Sequence, residues 1–204
     1  DLSGVQHING ETTGVALIAV SADGENLIVV CPGANRALRP ADVEDADITH
    51  MMGVLEIPAD TLLAAANRAT GFISLNLAPA MTVPDALLAR ASLLCVNETE
   101  AAFYGDALHA AGALVAISLG GEGAALYRHG TEIAREAAPQ VQVVDTVGAG
   151  DTFTAALTVA LIEGMSEEAA LRFAVTAGAL ACRRAGAQPS LPKRAEVDSL
   201  FGTG

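Results

Sequence analysis

Two short apolar runs, residues 13–20 and 26–31, flank the turn-forming triplet Ala22-Asp23-Gly24, which predicts a β-hairpin within residues 11–32. Beyond Pro40 the pattern changes to short apolar runs alternating with amphipathic segments. Strands are expected at 51–55, 72–77, 93–96 and 113–118, and helices at 59–69, at 84–90 and from Thr99 onward. Strands that are apolar throughout and set between helices predict a mostly parallel sheet covered on both faces. A second hairpin is expected over 124–128 and 131–136, turning at His129-Gly130, followed by a short strand at 141–144. Two Ala-rich helices suited to close packing follow at 149–163 and 166–184, and Pro192 is placed to open a last helix ending near Leu200. The expected fold is one α/β domain over residues 1–204, with a central mostly parallel sheet, flanking helices and a small β lid at the first hairpin.

Composition narrows the function. Hydrophobic residues make up 51% of the 204 positions and charged residues 17%, which excludes disorder. The net charge of −13 argues against nucleic-acid binding through a basic face. It leaves open a nucleotide held locally by backbone amides and metal ions. No apolar run is long enough to span a bilayer, and no signal peptide is visible. Cys31, Cys95 and Cys182 are isolated in apolar stretches, which predicts free thiols in a reducing cytoplasm rather than disulfides or zinc ligands. His7, His50, His109 and His129 show no metal-ligand spacing.

The chemistry concentrates at Asp145-Thr146-Val147-Gly148-Ala149-Gly150-Asp151-Thr152-Phe153, where a strand runs through a Gly-Ala-Gly turn into a helix. Small residues allow close backbone approach, and the amides of a helix start favour an anion. Such a cradle suits phosphate and the charge that develops during phosphoryl transfer. Asp151 at its mouth can accept the proton of an attacking hydroxyl; the alternative is a simple helix cap. Asn97-Glu98-Thr99-Glu100 opens a helix and reads either as a capping box or as oxygen ligands for a hydrated Mg²⁺. Ser118-Leu119-Gly120-Gly121-Glu122-Gly123 is a tight glycine turn. No Gly-x4-Gly-Lys-Ser/Thr occurs, nor a Gly-x-Gly-x-x-Gly after the first strand, so neither a P-loop kinase nor a dinucleotide dehydrogenase is indicated.

These motifs, with Arg184-Ala185-Gly186-Ala187-Gln188-Pro189-Ser190, resemble those of the ribokinase, or PfkB, family of carbohydrate kinases. The resemblance implies a ribokinase-like fold and ATP-dependent phosphorylation of a small sugar, D-ribose first, with a nucleoside, fructose or a related sugar as alternatives. It implies Asp151 as base, in contact with the substrate hydroxyl, and Gly148, Ala149 and Gly150 as the anion hole. Asn97, Ser118, Gly120, Gly123 and Gly150 would bind ATP, with Mg²⁺ held through water by Asn97 and Glu100. A K⁺ would lie among side-chain oxygens of Asp145 and Ser190 and the carbonyls of Val147, Ala181, Arg184 and Gly186. Upstream, Thr12 to Ala16 with Pro32 to Asn35, and Leu55-Glu56-Ile57-Pro58, resemble the family more weakly; they imply Glu56 as a sugar ligand, and family lids imply a homodimer. The family's opening segment, with a sugar-binding Asp, a Gly-Gly motif and part of the lid, has no counterpart here. The connections at 47–50 and 105–113 are short for parallel crossovers, so omitted segments are expected. A nucleotide-binding module without catalysis is the reading from another class.

Overall fold

The computed structural model describes residues 2–20 and 26–202. Strands β1 (Val15–Val20) and β2 (Asn26–Cys31) pair antiparallel, Val15 opposite Cys31 and Val20 opposite Asn26, as a separate two-stranded sheet. The expected turn at 22–24 lies outside the described residues. Val15, Leu17, Val29 and Val30 on this ribbon are exposed.

The main sheet has six strands in simple sequential order: β3 (Met51–Val54), β4 (Ile73–Asn76), β5 (Leu93–Asn97), β6 (Leu114–Ser118), β7 (Ala124–Arg128) and β8 (Thr131–Glu136). The first three pairings are parallel and the last two antiparallel, so the sheet is mixed. The parallel crossovers carry α1 (Ala59–Arg68), α2 (Asp85–Leu88), and α3 (Glu98–Tyr104) with the single turn α4 (Ala107–Ala110). All three are closed by the residues present.

Alternation along the strands sorts side chains to two cores. Leu75, Leu94, Val96 and Val115 pack under α1 to α4. Leu93, Cys95, Leu114, Ala116 and Leu126 pack under α5 (Ala149–Ile162) and α6 (Glu167–Ala181), joined by α7 (Arg194–Phe201). Ala170, Ala174 and Ala177 are buried at this helix layer, as the Ala-rich pattern predicts.

Three expectations are corrected. Residues 141–144 form no strand: Val143 and Val144 are exposed, and the Val144 amide donates instead to the Cys182 carbonyl at 2.8 Å. That bond and one from the Asp145 amide claim the carbonyl at the end of α6, which stops at Ala181 rather than at 184. Pro192 stays outside α7, because the box between Lys193 and Glu196 sets the helix start at Arg194.

Candidate active site

The C-terminal ends of β3 to β6 share one sheet edge, and antiparallel pairing returns β8 to it, with Ser118, Ala124 and Glu136 in register. The loops after β5, β6 and β8 therefore converge, as open α/β sheets require for a ligand site. Two clefts result. One, of about 340 Å³, is lined largely by small and apolar groups, among them Gly121, Gly123, Val141, Ala149, Gly178 and Cys182. The other, of about 180 Å³, holds Asn97, Glu100, Gly150, Asp151 and Thr154. Ser118, Gly150 and Phe153 line both, so they mark where the clefts adjoin.

Gly148 caps α5 with φ +77°, and an added Cβ would sit 3.3 Å from the Ala187 Cα. The turn thus needs glycine, both for its left-handed backbone and for the approach of the 186–190 loop. The Ala149 amide donates to the Thr146 carbonyl at 3.2 Å, and the Thr152 amide and hydroxyl both donate to the Gly148 carbonyl. Among the described residues no acceptor serves the amides of Gly150 and Asp151. They are the unpaired donors of a helix start, beside the smaller cleft. The Asp151 carboxylate accepts no hydrogen bond from the described residues and does not cap the helix.

Asn97 and Glu100 form the capping box. Asn97 Oδ1 accepts from the Glu100 amide and Glu100 Oε2 from the Asn97 amide, both at 2.8 Å. Glu100 is also buried at the cleft, and burial raises its carboxyl above the ordinary value, an effect the Asn97 amide partly offsets. The capping and cleft-lining roles coexist because the box uses one carboxylate oxygen. Ser118 Oγ donates to the Val96 carbonyl at 3.4 Å. Gly120 has open space around it, whereas a Cβ on Gly123, at φ +101°, would lie 2.0 Å from the Glu136 carbonyl oxygen.

Asp145 joins two loops. Its Oδ2 accepts from the Gly186 amide at 2.8 Å and its Oδ1 from the Val147 amide at 3.0 Å, and these bonds hold its carboxyl below the usual range. Ser190 is fully buried, and its hydroxyl donates to the Ala187 carbonyl at 2.7 Å. The carbonyls of Val147, Ala181, Arg184 and Gly186 accept no hydrogen bond among the described residues. Arg184 itself pairs with Glu196. Glu56 follows β3 on the same sheet edge but is exposed and lines neither cleft.

Sequence reasoning missed Asn76, Ala78, Cys95 and Thr154 in the smaller cleft and the 138–143 segment and α6 residues in the larger. Only the Thr spacing from Asp151, three residues on, carried a signal for any of them.

Residues 1–194 match the pfkB family of carbohydrate kinases. The chain belongs to that family. It is 36% identical to a ribokinase of Arabidopsis thaliana over 97% of this chain and 59% of that protein. It is 35% identical to a ribokinase of Bacillus subtilis over 97% of this chain and 70% of that protein. The structure of Arabidopsis thaliana ribokinase complexed with ribose and ATP superposes with a TM-score of 0.81 at 33% identity, covering 95% of this chain and 70% of that one. The pfkB chain described here therefore spans roughly six- to seven-tenths of these relatives' length. It carries the ribokinase fold, with a six-stranded mixed main sheet.

Proposed function

We propose that the full-length protein phosphorylates D-ribose on its 5-hydroxyl with ATP, and that the residues described here supply the catalytic half of its site. The observation that carries this reading is the Asp151 carboxylate beside the unpaired Gly150 and Asp151 amides, in a small cleft that adjoins a larger apolar one. The larger cleft, with Gly120 and Gly123 in its loop wall, suits the base and ribose of ATP, and the smaller one suits the γ-phosphate and acceptor hydroxyl. Asp151 takes the hydroxyl proton as the oxygen attacks phosphorus, and ADP leaves. The unpaired amides of Gly150 and Asp151 face the charge that spreads over the phosphoryl oxygens, with Gly148 shaping the turn; the Ala149 amide, held by the Thr146 carbonyl, would have to release it to join them.

Mg²⁺ would be held through water: the cap engages the single side-chain oxygen of Asn97 and one oxygen of Glu100, and the other Glu100 oxygen is left to accept from a metal-bound water. When bound it neutralises phosphate charge. K⁺ fits the loop pair better than a transition metal: one carboxylate, the Ser190 hydroxyl and four unclaimed carbonyls are hard oxygen donors. Its role is to hold Asp145 and the 186–190 loop, and through them the start of α5. Glu56 would contact the sugar from the far end of the sheet edge, and the exposed β1–β2 ribbon would pair two copies as a lid. The free thiols of Cys31, Cys95 and Cys182 agree with a cytoplasmic enzyme.

A coupled ADP-release assay of the full-length protein against ribose, fructose and nucleosides tests the assignment. Highest kcat/KM on ribose supports it, preference for another acceptor moves the substrate within the family, and nucleotide binding without turnover on any acceptor rejects catalysis.

A further inference from the structure

Beneath the smaller cleft lies a polar cluster in an otherwise apolar layer. Ser74 on β4, Cys95 on β5, and Thr154 and Thr158 on α5 are all buried, none more than 4% exposed. Thr158 Oγ1 lies 2.8 Å from Ser74 Oγ and 2.7 Å from the Thr154 carbonyl oxygen. The Cys95 thiol lies beside the side chains of Thr154 and Ser74. Hydroxyls with one donor and two lone pairs each can satisfy all these contacts together.

We propose that this cluster is a latch that sets the rotation of α5 on the sheet and thereby aims Asp151 into the cleft, with Ser74 and Thr158 as positioning residues for phosphoryl transfer. The inference rests on the kinase reading given above. Its geometric basis is a stripe: Asp151, Thr154 and Thr158 stand at i, i+3 and i+7, so they share one face of the helix. Thr154 lines the same cleft as Asp151, and Thr158 continues the stripe down to β4. The remaining contacts of α5 with the sheet, from Phe153, Leu157 and Ala160, are apolar. Apolar packing is non-directional and tolerates small rotations; a hydrogen bond at fixed length does not. Ser74 sits between Ile73 and Leu75, which face the opposite core, so strand alternation turns its hydroxyl towards α5. β-branched threonine is a poor choice for a helix interior, and its presence at these two buried sites is accounted for by the bonds it makes.

The test compares the full-length protein with Thr158→Val, Thr158→Ser, Ser74→Ala and the Ser74→Ala/Thr158→Val pair. Turnover, nucleotide KM, thermal stability and hydrogen exchange of the Thr152 amide are measured in each. Thr158→Val and Ser74→Ala are expected to lower kcat about tenfold with nucleotide KM nearly unchanged, since misaimed groups cost rate rather than binding. Thr158→Ser restores kcat, and the pair is no worse than Thr158→Val alone, because each single change already breaks the Ser74–Thr158 contact. Thr152 exchanges faster in Thr158→Val. Unchanged kcat with lowered stability overturns the latch and leaves a structural cluster. Absent turnover in the parent protein instead rejects the kinase reading, and exchange at Thr152 then decides the latch: no difference between parent and Thr158→Val overturns it.

Discussion

Replacing Gly150 by alanine separates folding from catalysis. Gly150 lies in the first turn of α5 without a left-handed backbone, and a Cβ built on it meets nothing within 4 Å. Nothing in the fold resists the methyl, and alanine is the better helix former by about 0.5–1 kcal/mol. At about 2–4 °C per kcal/mol for a domain of this size, the melting temperature should rise by about 1–4 °C. The open space is not empty of purpose, however: Gly150 lines both clefts, where they adjoin. A methyl reaching about 1.5 Å from the Cα would stand between the unpaired amide and the phosphate. Displacement of the transferred group by about 1 Å costs on the order of 10²-fold, so kcat should fall at least that far. Gly148→Ala is the contrasting change. It forces alanine to φ +77° with Ala187 at 3.3 Å, costs about 1–2 kcal/mol and lowers the melting temperature by about 2–8 °C. Differential scanning fluorimetry and the coupled assay on the full-length protein give both readouts. A stabilised Gly150→Ala protein with normal turnover would refute the idea that phosphate passes this point; a destabilised one would refute the conformational argument.

Three further outcomes are expected. Asp151→Asn should lower kcat by about 10²–10⁴-fold while leaving nucleotide affinity, read by calorimetry, near that of the parent; near-normal turnover assigns the base elsewhere. At equal ionic strength KCl should stimulate turnover well beyond NaCl or tetramethylammonium chloride, because the Asp145–Gly186 pairing ties the oxygen-rich loop to the start of α5; equal rates in all three salts remove the cation site. Burial first and the Asp145 charge second raise the Cys182 thiol above the ordinary thiol value, so iodoacetamide labelling should keep accelerating to higher pH than that of a free thiol. MgATP should slow that labelling, since Cys182 lines the larger cleft, and Cys95, pushed up to about 12, should stay unlabelled until the protein unfolds.

Local order determined much of this protein. The hairpin over β7 and β8 is legible in the turn-forming His129-Gly130, which adopts positive φ at both residues, and the start of α5 in the glycine turn that precedes it. The capping box of Asn97 and Glu100 is likewise a contact three residues long. Family motifs carried the reading further, to the loops after β5, β6 and β8. What tertiary structure alone decided depends on contacts remote in the chain. Residues 141–144 look like a strand, yet the sheet offers no partner there, and the Cys182 carbonyl, about forty positions away, captures the Val144 and Asp145 amides. The mixed sheet follows from the two tight connections after β6; the second was legible as a hairpin, but that β7 pairs antiparallel with β6 rests on the register Ser118↔Ala124, which only the fold shows. Ser74 and Thr158 are 84 positions apart, and in one dimension each is an ordinary small polar residue. Only the packing of α5 across β4 brings the two hydroxyls together, because helix and strand periodicities say which face a residue takes but not which residue lies opposite.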